Sequence, residues 1–148
     1  MKQYQSDMGV HITKEELARS NEEKKMRRKT SAQLPVFVSS GNLMHRVVSI
    51  AQQAPRNLTK YIDCMMGNIN ESMVTIAYAN ESRGEERSRY ISNSLSIMYV
   101  FRMQFNILQR VGIISKDNLA LLKKEIDGVI AQLIAWRDFA NRQGCHKE

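Results

Sequence analysis

From Val36 onward, apolar residues recur three or four positions apart in four successive runs. That is the period at which an α-helix keeps one face apolar. The first run holds Val36/Phe37, Leu43/Met44, Val47/Val48, Ile50/Ala51 and Ala54. Pro35 suits a first helical position, where no N–H is needed, and Pro55 forces Ala54 out of the α region and ends the helix. The second run, Leu58, Ile62, Met65/Met66, Ile69, Met73 and Ile76/Ala77, gives way to the polar stretch Asn80-Glu81-Ser82-Arg83-Gly84, with Gly84 read as the residue that stops the helix. A third helix opens on Glu85-Glu86, two acids suited to the positive end of the helix dipole. It carries Ile91, Leu95, Met98, Phe101/Arg102, Phe105 and Leu108. Val111-Gly112-Ile113-Ile114 reads as a turn with Gly112 just past the helix end, followed by Ser115 as an N-cap and Asp117 in the first turn of the last helix. Leu119, Leu122, Ile126, Val129/Ile130, Leu133, Trp136 and Phe139/Ala140 form its stripe. Four amphipathic helices on short connections bury their stripes most simply as an antiparallel up-down four-helix bundle, so the expected fold is all-α.

The composition changes at Leu34-Pro35. Residues 1–34 hold eight basic and five acidic side chains and few large apolar ones. Glu15 to Lys29 is helix-prone, but Leu17, Ala18 and Met26 make no continuous stripe, so this part is expected to be mobile or ordered by a partner. The expected organisation is a basic N-terminal extension over 1–34, the bundle over 35–143 and a frayed tail over 144–148.

A chain of 148 residues with 43% hydrophobic residues supports one domain with a core of its own. Charge adds a functional hint. The net charge of +7 and a sequence pI near 9.6 suit contact with phosphates, although a solvated basic surface explains the same numbers. No apolar run reaches the ~18 residues of a membrane span, and the N-terminus has no apolar core of a secretory signal. The triplets at Asn57, Asn70 and Asn80 are therefore read as chance matches to a glycosylation acceptor. Cys64 and Cys145 are far apart, consistent with a reducing cytoplasm.

Catalysis finds no support. His11, His45 and His146 fall in different regions and outside metal-ligand spacings, and Gly84 and Gly112 stand alone rather than in a phosphate-cradling loop. Cys64 reads as a small core residue, and Met65, Met66 and Met73 as adaptable packing. The expectation is no enzyme activity, no cofactor and no metal.

Four short motifs carry a resemblance: Leu34-Pro35-Val36-Phe37, then Ile50-Ala51-Gln52-Gln53-Ala54-Pro55-Arg56, Gly112-Ile113-Ile114-Ser115, and Ile134-Ala135-Trp136. Their order and spacing, over roughly residues 34–143, resemble the small four-helix-bundle proteins of the accessory variability determinant (Avd) family of diversity-generating retroelements. The same superfamily includes bundle proteins encoded in ribosomal RNA intervening sequences. The resemblance implies a basic homopentamer that does no chemistry itself. It would bind a reverse transcriptase and structured template RNA, with DNA or an RNA/DNA hybrid as alternatives, and would support mutagenic cDNA synthesis. The N-terminal extension has no counterpart among these motifs.

Three groups of cations are the candidate phosphate contacts, because arginine and lysine supply the charge and arginine adds a bidentate fork. Arg83, Arg87 and Arg89 crowd the start of the third helix. Arg102 and Arg110 follow along it, with Lys123, Lys124, Arg137 and Arg142 on the fourth. Lys24, Lys25, Arg27, Arg28 and Lys29 form a cluster in the extension. Arg102 shares the apolar side with Met98 and Phe105, so it should pair with an acid or face a subunit interface. Tyr90, Tyr99 and Phe101 are read as core, which leaves few aromatics for base stacking and favours backbone and shape recognition. Two other readings fit the pattern: an interaction scaffold of the intervening-sequence type, and a DNA-binding accessory factor of a mobile element. The latter would want a short recognition helix that the four long stripes do not leave. No segment combines a bulky aromatic face with a lysine-rich face as a membrane-surface helix would.

Overall fold

The computed structural model describes residues 4–5, 11–18 and 30–145. Near the N-terminus, β1 (Tyr4–Gln5) pairs antiparallel with β2 (His11–Ile12), Tyr4 lying opposite Ile12. A helical turn, α1 (14–18), follows. Its start is a capping box: the Thr13 N–H donates to Glu16 Oε2 at 3.0 Å, and the Glu16 N–H donates to Thr13 Oγ1 at 3.2 Å. Of the helix-prone segment Glu15 to Lys29, residues 15–18 are helical and residues 19–29 lie outside the described residues. Lys24, Lys25, Arg27, Arg28 and Lys29 lie outside the described residues. The two-residue ladder was not expected from the sequence.

The rest is all-α. After a 3-10 turn (Ser31–Gln33) come α2 (Pro35–Gln53), a second 3-10 turn (Arg56–Leu58), α3 (Thr59–Glu81), α4 (Gly84–Arg110) and α5 (Lys116–Cys145). Pro35 occupies the first turn of α2, and Ala54, before Pro55, is extended at φ −77° and ψ 143°. The end of α4 is a Schellman motif. Gly112 takes φ +81°, its N–H donates to the Gln109 carbonyl, and the Ile113 N–H reaches back to Leu108 at 2.9 Å. Ser115 then caps α5, its Oγ accepting from the Asn118 N–H at 3.1 Å. Glycine at position 84 does something different from what the sequence suggests. The chain runs extended through Ser82 and Arg83, and Gly84, at φ +58°, opens α4 instead of closing α3. Likewise α5 continues to Cys145, past the expected tail boundary at 143.

The helices pack α2 on α3, α3 on α4 and α4 on α5, with α2 returning to meet α5 along a thinner seam. Cross-helix contacts show neighbours running antiparallel: Tyr61 and Ser72 of α3 meet Gln104 and Ser94 of α4, while Ser92 and Arg102 of α4 meet Arg137 and Asp127 of α5. Along this seam order, one face of each of α2, α3, α4 and α5 enters a single core. Val36, Leu43 and Val47 supply it from α2; Ile62, Met65, Ile69 and Ile76 from α3; Ile91, Leu95, Met98, Phe101, Phe105 and Leu108 from α4; Leu122, Ile126, Val129 and Leu133 from α5. Phe101 and Phe105 meet edge to face, centroids 4.9 Å apart.

The α3–α4 seam is partly polar. Ser72 and Ser94 are buried and share a hydrogen bond at 2.6 Å, and Asn68 donates to Gln104 Oε1 at 3.0 Å. Each buried hydroxyl or amide therefore has a partner, as a buried polar group requires. Cys64, expected in the core, is instead exposed on the flank of this seam, where its sulfur accepts from Gln104 Nε2 at 3.8 Å. Burial, and then the nearby Cys64, raise the Tyr61 phenol above its ordinary pKa.

Candidate nucleic-acid interface

The predicted cations separate into those the fold uses and those it leaves in solvent. Arg87 belongs to the fold. Its Nε donates to the Ala79 carbonyl at 2.9 Å and one terminal nitrogen to the Asn80 carbonyl at 3.1 Å, satisfying acceptors at the C-terminal end of α3. The same guanidinium lies over the Trp136 ring of α5, 5.7 Å from its centroid. One side chain thus ties together three helices. Arg87→Ala is expected to lower stability by about 2 kcal/mol, the range of a charged hydrogen bond. Arg87→Lys should recover little, since an ammonium has no planar fork to span two carbonyls. Urea unfolding followed by circular dichroism measures both; a loss below about 0.5 kcal/mol would remove Arg87 from the fold's supports.

Arg102 also has a partner. Its Nε donates to Asp127 Oδ1 at 2.8 Å and a terminal nitrogen to Oδ2 at 3.3 Å, so the expected acid is found on α5. Both groups remain substantially exposed, so the pair sits on the flank of the core. The Asp127 hydrogen bond raises the Arg102 pKa, with burial opposing it. Arg137 is half-buried and donates to Ser92 Oγ at 3.4 Å. Arg83, Arg89, Arg110, Lys124 and Arg142 are exposed, and Lys123 is half-buried. Of the three aromatics read as core, Phe101 is buried, Tyr90 is half-buried against Tyr78, and Tyr99 is exposed.

Antiparallel packing sorts these charges into two ends. Where α3 stops and α4 starts, Arg83, Arg87, Arg89, Arg137 and Arg142 are interleaved with Glu81, Glu85, Glu86 and Asp138, leaving little excess among the described residues. The extension joins at this end, where Asn80 Nδ2 donates to Ser31 Oγ at 3.4 Å. At the opposite end, Arg56, Lys60, Arg110, Lys116, Lys123 and Lys124 are accompanied by Asp63 and Asp117, while Glu125 is held by Arg46. Arg56, Lys60 and Lys116 were not among the sequence candidates. Arg56 and Lys60 lie together at the start of α3, and only the packing order brings Lys116 to the same end.

Two further surfaces are open. Between α2 and α5 lies a groove of about 780 Å³, with Ser39, Asn42 and His45 on one wall and Ile114, Leu121 and Asn118 on the other. The Arg46–Glu125 pair spans it, with Nε to Oε2 at 2.8 Å. Along α4 and its C-cap, Tyr99, Met103, Ile107 and Val111 recur every four residues as an exposed apolar ridge with Val100 beside it. Among the described residues, no three or more His, Cys, Asp or Glu side chains are placed to hold a metal ion, and no helix is long and apolar enough to cross a membrane.

These features define an all-α chain whose outer surface combines one cation-rich end with one apolar ridge. Compared with known proteins, the chain matches no family model, no curated protein and no solved structure.

Proposed function

We infer that this chain is a non-enzymatic accessory subunit of the Avd type. In this reading it is an antiparallel up-down four-helix bundle that works in the cytoplasm and binds structured template RNA together with a retroelement reverse transcriptase. The observation that carries the reading is the set of exposed cations left without acidic partners at one end of the helices. Cations held on rigid helices, with few exposed aromatics nearby, suit contact with the sugar-phosphate backbone more than reading of bases. The ridge Tyr99-Met103-Ile107-Val111 supports self-association, since a contiguous apolar strip on a helix face is a common mark of an interface. Five subunits come from the resemblance noted in the sequence.

Light scattering on the purified chain, with and without a structured RNA, tests this. The expected result is a mass of five subunits that rises on adding RNA and falls back at high salt, the slope being about 0.7–0.9 log units per phosphate bound. A monomer indifferent to RNA would overturn it. An assembly that ignores RNA would favour the scaffold reading, which the apolar ridge supports equally well.

A further inference from the structure

We propose that the nucleic-acid backbone docks on the end of the helix array where α2 and α4 finish and α3 and α5 begin, through Arg56, Lys60, Arg110, Lys116, Lys123 and Lys124. The proposal rests on the RNA-binding reading above. Of the three cation groups the sequence offers, it keeps Arg110, Lys123 and Lys124, adds Arg56, Lys60 and Lys116, and leaves aside the arginine-rich start of α4.

Charge separates the two ends. Every end of an antiparallel four-helix array carries two helix N-termini and two C-termini, so their dipoles largely cancel and side chains set the local field. Among the described residues at the end near Gly84, five arginines face four carboxylates, and Arg87 is committed to the Ala79 and Asn80 carbonyls. At the opposite end, six cations face two solvent-exposed carboxylates, Asp63 and Asp117. Arg56, Lys60, Arg110, Lys116 and Lys124 are exposed and make no ion pair with any described residue.

Placement supports the same choice. Arg56 lies in the 3-10 turn before α3, Lys60 in the first turn of α3, Arg110 at the last position of α4 and Lys116 at the first of α5. The connection between the last two is fixed by the Gly112 Schellman motif and the Ser115 cap, so their backbones are held in position before a ligand arrives. Cations held on such a frame lose less entropy on binding than cations on a loose tail. The exposed aromatics Tyr78, Tyr99 and Phe139 belong to other parts of the surface, and Tyr61, the tyrosine at this end, is half-buried with its hydroxyl donating to the Gln104 carbonyl. Without stacking platforms, this surface holds phosphates and does not read bases.

The test compares two triple charge reversals that change net charge equally in the full-length chain. One is Arg56→Glu/Lys60→Glu/Lys116→Glu; the other is Arg83→Glu/Arg89→Glu/Arg142→Glu. Binding to a labelled RNA hairpin and to a DNA hairpin of the same sequence is followed by fluorescence anisotropy across salt concentrations. Circular dichroism checks that each variant folds, and the milder Arg56→Gln/Lys60→Gln/Lys116→Gln set keeps the comparison if a reversal does not. The first set should weaken both hairpins at least about tenfold more than the second. It should also lower the salt slope by about 2–3, close to one unit for each phosphate that is no longer neutralised. Equal weakening by the two sets, or greater weakening by the second, overturns the assigned surface while leaving RNA binding intact. A wild-type chain that binds neither hairpin overturns the RNA reading itself, and this surface with it.

Discussion

Phe101→Ala should cost about 3–5 kcal/mol of folding stability, the largest loss expected from any single truncation in this chain. Phe101 is fully buried on the face of α4 that lies between α3 and α5, and its ring packs edge to face on Phe105. Truncation removes the transfer energy of the ring and leaves a cavity that helices held on both sides cannot close. It also removes the paired-ring attraction, about 0.5–1.5 kcal/mol. Domains of this size keep only about 5–15 kcal/mol in total, so the variant should sit close to its unfolding threshold. Urea titration should show a lower midpoint with an unchanged slope, while Phe101→Leu, which retains most of the volume, should lose about 1.5 kcal/mol or less. A loss below about 1 kcal/mol for the alanine would place that ring outside the core.

With self-association through the α4 ridge as proposed, Met103→Asp/Ile107→Asp should leave the fold intact and abolish it. Met103 is 66% exposed and Ile107 45%, so neither contributes much to the core, and substitutions at such sites usually stay within about 0.5 kcal/mol. In an assembly that covers the α4 ridge, the same two changes bury two carboxylates among apolar groups, a severe penalty without cationic partners. Light scattering should therefore fall from the assembled mass to that of one 17.1 kDa chain, with an unchanged circular dichroism spectrum. A variant that keeps the assembled mass would move the interface off α4.

Much of the architecture was legible because single residues constrain the backbone in few ways. Proline at 35 and 55 brackets α2, and Gly112 with Ser115 marks the α4–α5 turn, as the structure bears out. Gly84 misleads for the same physical reason: a positive φ can end one helix or begin the next, and composition does not say which. The polar Ser72–Ser94 contact escaped because a hydrophobic period passes over small buried hydroxyls. Cys64 was placed by the average behaviour of its residue type, whereas its position on the α3 flank decides its exposure.

The candidate site was less legible. Arg102 was expected to need an acid, and Asp127 supplies one twenty-five positions away, but nothing local to either residue names the other. Arg87 looked like one cation of a cluster because its partners are backbone carbonyls, which leave no trace in a pattern of side chains. Charge at an end of the array is a property of the packing: Arg56 and Lys116 share an end only because α3 and α5 start there.

The short link at Ser82–Arg83 bears on how the chain reaches this fold. Joining α3 to α4 closes almost no loop, so their contacts form at small entropic cost and can build a helical hairpin early. The α2–α5 seam is the reverse case, since it joins the first long helix to the last and contains the thinnest packing. Its closure requires the intervening helices to be in place. The α3–α4 hairpin is therefore expected to form first and the α2–α5 seam to close last and open first, an order that pulsed hydrogen exchange would check.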